Sequence, residues 1–499
     1  MISSNIYRTI KLEGFFSEYL PPCFKLDEKA LDLTPSTRSD SIQPYSFTMS
    51  RFTENEARRT LSIPEIGAYL ALNQYMENNE IIEELLEFIE NNPVSFSKVI
   101  MNDGSIVKHD QVYGGDETGD TEAKSQYINN TVKKIILSAG AKKILKLDIA
   151  NCYSSLYTHY IPAILLGYES ANEEYKKGLK NEEASKTYKK YKELDEKIRQ
   201  QNLNQTNGLL VGPIVSRIIV EGILTRIDIE LKEKGILYSR YVDDYEVYIF
   251  DDDTERVKSL FIAVLKKYGF SLNYEKTEVI DFPYYVVSNF DKIIDTYRAN
   301  VGDDYDLIKI FNDFFAIEKS GTKGAIRYLL KSLEKSPIEC DNKQLLNSYI
   351  LTVMSNDSRS LTRACSVLIK NHQDTGMSGD YIKVLKRLLM INLERDYDLE
   401  VIWLLYALIE TGNLTDDDDI INEVVNGNNE LAKLMIFRKG LMSQDVIERI
   451  KDSAKSWLLN YELYANGILM ETELFERLTI KKNKSLYKLL KKKGIHFCY

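Results

Sequence analysis

Tyr238-Ser239-Arg240-Tyr241-Val242-Asp243-Asp244-Tyr245-Glu246-Val247-Tyr248-Ile249-Phe250 sets two adjacent carboxylates between two runs rich in Tyr, Val, Ile and Phe. Aromatic and β-branched runs favour extended strands. Aspartate is depleted in strands and favoured in turns. The stretch therefore predicts a β-hairpin with Asp243 and Asp244 at or beside its tip. Taken alone, such a pair reads as solvated surface charge. The segments on either side decide whether it is more than that.

Upstream, Lys143 to Ile149 alternates as a strand and brings Asp148 to its end. A Gly-punctuated turn, Gln205 to Pro213, leads into a strongly apolar helix from Ile214 to Leu231. Downstream, Thr254 to Tyr268 is an amphipathic helix, and Phe270 to Val279 is a strand–turn segment holding Lys276-Thr277. Nearer the N-terminus, Ile6 to Leu20 has helical spacing and Thr34 to Tyr45 reads as a loop. Leu61 and Ile63 form a strand that Pro64 ends, followed by helices over Glu65 to Met76 and Glu80 to Ile89. Asn102 to Asn130, rich in Gly and Asp, reads as a surface loop, and Thr131 to Leu137 as a short helix. Glu173 to Gln201 reads as one or two exposed helices.

After about Arg298 the texture changes, and periodic apolar helices dominate to the end. The chain thus divides into residues 1–295, mixed α and β, and 296–499, an all-α domain of helix pairs resembling a solenoid of the HEAT type. The run from Lys481 to Lys493 reads as a solvated basic tail.

The 499-residue length fits about two to four domains. No apolar run is long enough to span a membrane, and Met1 to Lys11 lacks a signal-peptide core. Five scattered cysteines with no CxxC pair argue for a reducing cytoplasm and against structural zinc or a disulfide framework. With only four histidines, a His-rich metal site is disfavoured. A net charge of −10 argues against extensive duplex binding but allows a local basic groove.

Three carboxylates on neighbouring strand ends, Asp148, Asp243 and Asp244, can hold two divalent ions. Oxygen-only ligands suit Mg²⁺ or Mn²⁺ rather than zinc. Tyr241-Val242-Asp243-Asp244 resembles the YVDD-type box of reverse transcriptases. Asp148 with Tyr153 resembles their first acidic box, and Gly208 to Pro213 the Gly-containing box. Arg59 to Pro64 resembles the fingers element R-x-L-x-I-P, and Leu272-Asn273 with Lys276-Thr277 the box after the hairpin. The likeness covers about residues 55 to 290 and implies a polymerase palm and fingers. Tyr153 to Pro162, Ser239 to Asp244 and the helical C-terminal half resemble the abortive-infection, AbiK-like reverse transcriptases of bacterial phage defence, in which Lys323-Gly324-Ala325-Ile326 also has a counterpart.

That resemblance implies untemplated DNA synthesis from dNTPs, primed from a tyrosine of the protein and yielding single-stranded DNA attached to it. It also implies a homo-oligomer, a trimer among the options. By the same likeness Asp148, Asp243 and Asp244 bind metal, joined by the backbone carbonyl of Ile149. Tyr153 selects dNTP over NTP, and Gly212 belongs to the nucleotide-binding turn. Arg59 grips the triphosphate, for which a planar guanidinium is suited. Lys276 protonates the leaving pyrophosphate. Among 33 tyrosines, Tyr7 and Tyr45 lie in N-terminal segments with room to move and are the candidate primers. His159 reads as structural.

The Gly box departs from the usual pattern: Leu210, Val211, Ile214 and Val215 make it apolar where templated enzymes place a polar residue. Two other readings stay open. One is a templated, retron-like enzyme working with a bound RNA. The other is a non-catalytic polymerase-fold scaffold whose helical half binds a partner.

Overall fold

A computed structural model describes residues 2–36, 39–50, 58–97, 99–100, 104–107, 130–251, 253–284, 290–299, 303–335, 342–375, 378–415 and 419–499. Most of the expected loop over 102–130 and part of that over 34–45 lie outside the described residues.

Among the described residues, strands β1 (Tyr45–Ser50) and β2 (Arg58–Ile63) pair with each other alone, antiparallel, with Thr48 opposite Thr60. Strands β3 (Lys143–Asp148), β4 (Tyr238–Tyr241), β5 (Asp244–Ile249) and β6 (Glu278–Asp281) form one antiparallel sheet in the order β4-β5-β3-β6. Alternation splits this sheet into two faces. Leu145, Leu147, Tyr245, Val247 and Ile249 are buried on one face, where Tyr245 meets Phe261 of the helix Thr254–Lys267 at a ring separation of 4.7 Å. Lys146, Glu246, Asp148 and Asp244 lie on the other face, in the registers Lys146–Glu246 and Asp148–Asp244.

The helix Ile214–Glu233 is largely apolar and correspondingly buried on every side from Ile214 to Thr225, with Ile229 exposed nearer its end. The expected helix over Ile6 to Leu20 stops at Leu12. Past it the chain turns, and Phe15 and Phe16 plug the core from a non-helical segment. Tertiary burial of two consecutive aromatics overrides the helical spacing there. The stretch 173–201 holds two helices, Tyr168–Leu179 and Lys186–Gln200, but the second buries Tyr191, Leu194 and Ile198 against the core.

From Phe290 onward the described residues hold no strand, and helices follow one another to Lys492. They pack on a sequence neighbour or on the next helix but one, as Leu361–Thr375 does on the preceding Lys343–Asn356 and on Asp398–Glu410. The last of them return to the N-terminal segment. Phe24 bridges Cys498, and the Tyr499 N–H donates to the Cys23 carbonyl at 3.0 Å. Trp457 and Phe497 pack with Phe15 in one aromatic cluster.

The run Lys481 to Lys493 is therefore not a solvated tail. The Asp40 carboxylate accepts the backbone N–H groups of Lys481, Lys482 and Asn483 at 3.1, 2.8 and 3.0 Å, ahead of the helix Lys484–Lys492. Lys488 pairs with Glu471, Lys491 donates to the Tyr464 carbonyl, and Lys493 pairs with Asp32. The amphipathic spacing of Leu486, Tyr487 and Leu490 buries one side of this helix, and its lysines cover the other. Among the described residues no helix is long and apolar enough to cross a membrane.

Candidate active site

The β4–β5 turn is as tight as a hairpin allows. Tyr241 pairs directly with Asp244, and Val242 between them adopts φ 53°. A β-branched residue in that region is strained. Something must hold the turn, and Arg240 does. Its guanidinium, 1% exposed, donates to the Val242 carbonyl at 2.9 Å. It also donates to both oxygens of Glu221 at 2.8 and 2.9 Å and to Asp228 at 2.8 Å. Ser95 and Asn92 complete the shells of the two acids at 2.6 Å each. The sequence holds a partial signal for this network: Glu221 and Asp228, seven apart, put two acids on one face of an otherwise largely apolar helix.

Held this way, the turn brings three acids together. Asp148 and Asp244 face each other across β3 and β5 in direct register. Side chains so paired on one face have Cβ atoms about 5 Å apart. Asp243 joins them through the backbone, its carbonyl accepting the Ile149 N–H at 3.2 Å. The segment leading into β6 closes the other flank: the Asp148 carbonyl accepts the Asn273 N–H at 2.8 Å, and Ile149 bridges Leu272. This seats Lys276, whose Nζ lies 2.8 Å from Asp148 Oδ2.

The electrostatics follow from crowding. Burial and then the charge of Asp148 raise the Asp243 carboxyl above its usual range, opposed by Lys276 and Arg59. Asp244 is pushed up to about 7, first by burial, then by the charges of Asp243 and Asp148, and by a hydrogen bond that its protonated form shares with Asp148. Among the described residues no three acidic, His or Cys side chains stand already closed around an ion position. The donor set nonetheless fits hard divalent cations. The Lys276 ammonium on Asp148 partly balances the charge that such ions would neutralise.

Around the acids opens a cleft of about 1960 Å³. Arg59, Tyr153, Gly212 and Lys276 all line it with Asp148, Ile149, Asp243 and Asp244, so the expected site residues converge. Tyr153 is half-buried, and burial raises its phenol pKa. Gly212 is required sterically. At its φ of 135° a Cβ would come 2.8 Å from the Ser62 carbonyl, where the Gly turn crosses β2. The Ser62 N–H donates to the Val211 carbonyl at 2.7 Å, and the Leu209 N–H to the Tyr153 carbonyl at 2.9 Å. The turn thereby stitches the strand bearing Arg59 to the segment bearing Tyr153.

Tyr7 and Tyr45 are placed differently. Tyr7 is buried in the helix Ile2–Leu12, its phenol donating to the Met76 carbonyl at 3.1 Å. The Tyr45 phenol, in β1, accepts the Glu430 N–H at 3.1 Å. Neither lines the cleft, whereas Tyr19, Tyr153, Tyr241 and Tyr499 do. His159 pairs with Asp195 at 2.9 Å, a structural contact.

The opposite wall comes from the helical half. Lys323, Arg327, Lys331, Arg359, Arg363 and Lys370 line the same cleft. Glu334 and Asp357 lie among them and pair with Arg363 and Arg359. Cations outnumber acids on that wall of a chain whose net charge is −10. Spacings of four, as at Lys323, Arg327 and Lys331, mark this stripe in the sequence.

No family model matches the chain, and no curated protein does. Among solved structures, apo telomerase from Candida tropicalis aligns at 12% identity with a TM-score of 0.34, over 76% of this chain and 67% of that one. Telomerase from Candida albicans, in complex with a fragment of telomeric RNA, aligns at 11% identity and 0.32, over 74% and 67%. TM-scores of this size carry no argument, and the chemistry rests on the residues of the chain itself.

Proposed function

We propose that this chain is a reverse-transcriptase-like nucleotidyltransferase that adds deoxynucleotides at Asp148, Asp243 and Asp244. The observation that supports this most is the register of β3 with β5. It sets Asp148 opposite Asp244 beside Asp243 in one cleft with Arg59 and Lys276. Asp148, Asp243, Asp244 and the Ile149 carbonyl are the groups that would hold two Mg²⁺ or Mn²⁺ ions, which when bound supply charge to both oxygens of an in-line displacement. Arg59 grips the triphosphate of the incoming dNTP. Lys276, on Asp148 in the resting site, gives its proton to the leaving pyrophosphate. Tyr153 lies under the sugar.

The finer reading is untemplated synthesis primed from a tyrosine, in phage defence. Two features support it. Val211 and Ile214 give the Gly-box wall of the cleft an apolar surface. The basic wall is suited to a single anionic strand leaving the acids. Tyr19 and Tyr499, which line the cleft, replace Tyr7 and Tyr45 as the phenols best placed to prime.

Purified protein, dNTPs and Mg²⁺ or Mn²⁺, with no added template or primer, should yield DNA that stays with the protein through denaturation. Mass spectrometry should then find nucleotide mass on a cleft tyrosine. Extension only of an added primer on an added template would overturn the untemplated reading and favour the templated one.

A further inference from the structure

Strand β2 carries two consecutive arginines, and strand alternation sends their side chains in opposite directions. Arg59 lines the cleft with the three aspartates. Arg58 runs to the helix Asp398–Glu410, more than three hundred residues later in the chain. Its Nη1 donates to Glu400 Oε1 at 3.1 Å, and its Nη2 pairs with Glu400 Oε2, a bidentate fork. The guanidinium also lies 3.9 Å from the centroid of the Tyr397 ring. Its Nε donates to Thr48 Oγ1 at 3.1 Å, which ties β2 to β1.

The preceding acid of that helix does the same for β1. Asp398 Oδ2 accepts the Thr48 N–H at 2.8 Å and the Thr48 hydroxyl at 3.0 Å. Glu400 is 2% exposed, so its carboxylate is committed to Arg58 and not to solvent. A two-stranded pair is marginal on its own. Among the described residues the pair joins no larger sheet, and the helical half supplies footing for it beside the Gly turn.

We propose that Glu400 is a positioning residue for the incoming nucleotide. Through Arg58 it fixes β2, and β2 in turn aims Arg59 across the cleft at the triphosphate. The inference rests on the nucleotidyltransferase reading of the site and assigns the helical half a part in nucleotide binding. A guanidinium misplaced by about 1 Å is enough to cost on the order of a hundredfold in a positioned contact.

The test is a double-mutant cycle read by calorimetric dNTP binding to the full chain, with Ca²⁺ in place of Mg²⁺ so that affinity is read without turnover. Glu400→Gln, which keeps shape and removes charge, should weaken dNTP binding by roughly ten- to a hundredfold. Arg59→Ala should weaken it to a similar degree. The double variant should bind no more weakly than Arg59→Ala alone, because both act through one contact. Arg58→Lys, which keeps charge but loses the fork, should show a smaller loss in the same direction and serves if Glu400→Gln does not fold. Unchanged dNTP affinity in a folded Glu400→Gln or Arg58→Lys protein, or losses that simply add in the double variant, would overturn the inference. Incorporation by the wild-type protein is scored separately. Binding that depends on Glu400 without any incorporation would leave the positioning role standing and remove the polymerase reading.

Discussion

Glu221 and Asp228 lie behind the β4–β5 hairpin, while Asp148, Asp243 and Asp244 lie in front of it and at its tip. Both groups crowd carboxylates together, and the chain treats them differently. Behind the hairpin Arg240 answers both acids with three hydrogen bonds, in a site sealed from water. In front, the one lysine ammonium in contact among the described residues, that of Lys276, sits on Asp148, and burial, then the charges of Asp243 and Asp148, push Asp244 up to about 7. The first cluster is a finished structural joint. The second keeps negative charge that folding alone does not use, which is how a site that recruits cations differs from one that only braces a turn.

The sharpest way to break this contrast is to remove Arg240. Arg240→Met leaves two buried carboxylates without their cation and frees the Val242 turn, and should cost about 3–5 kcal/mol in a denaturant midpoint series. Adding Glu221→Gln and Asp228→Asn should recover part of that loss. Stability unchanged in the single variant would show that the rear cluster is not the brace.

A smaller effect is expected at Lys276. Lys276→Gln should slow dNTP incorporation by about a hundredfold, the lower end for a lost general acid, with little change in melting. A loss that vanished at higher Mn²⁺ would instead place the lysine in charge balance at Asp148. The smallest effect separates the clusters by ligand. Mg²⁺ or Mn²⁺ at about ten times its dissociation constant should stabilise the wild-type protein by about 1.4 kcal/mol. Asp148→Asn should abolish that gain, and Glu221→Gln should retain it.

How much of this was legible from sequence follows the same division. Strand alternation and the aromatic boxes announced β2, β3, the hairpin and the three acids, because period and turn chemistry are local. The front cluster was therefore readable from Asp148, Asp243 and Asp244 themselves. The rear cluster was not, although Glu221 and Asp228 share a helix face. Only the fold brings Arg240 onto them. The return of the C-terminus was equally hidden: the lysines from Lys481 to Lys493 look like a tail until Asp40 caps their backbone. The same holds for Arg58 and Glu400, whose pairing depends on chain closure and not on spacing. Phe15 and Phe16 misled in the opposite sense, since their helical spacing serves a turn.

Asp243→Ala, compared with wild type for both melting and incorporation of labelled dNTP under Mg²⁺ or Mn²⁺, addresses the central claim most directly. The account predicts incorporation by the wild-type protein, a loss on the order of 10⁴-fold in the variant, and a melting temperature no lower than wild type, because a repelling charge has been removed. Sustained incorporation by the folded variant would contradict it.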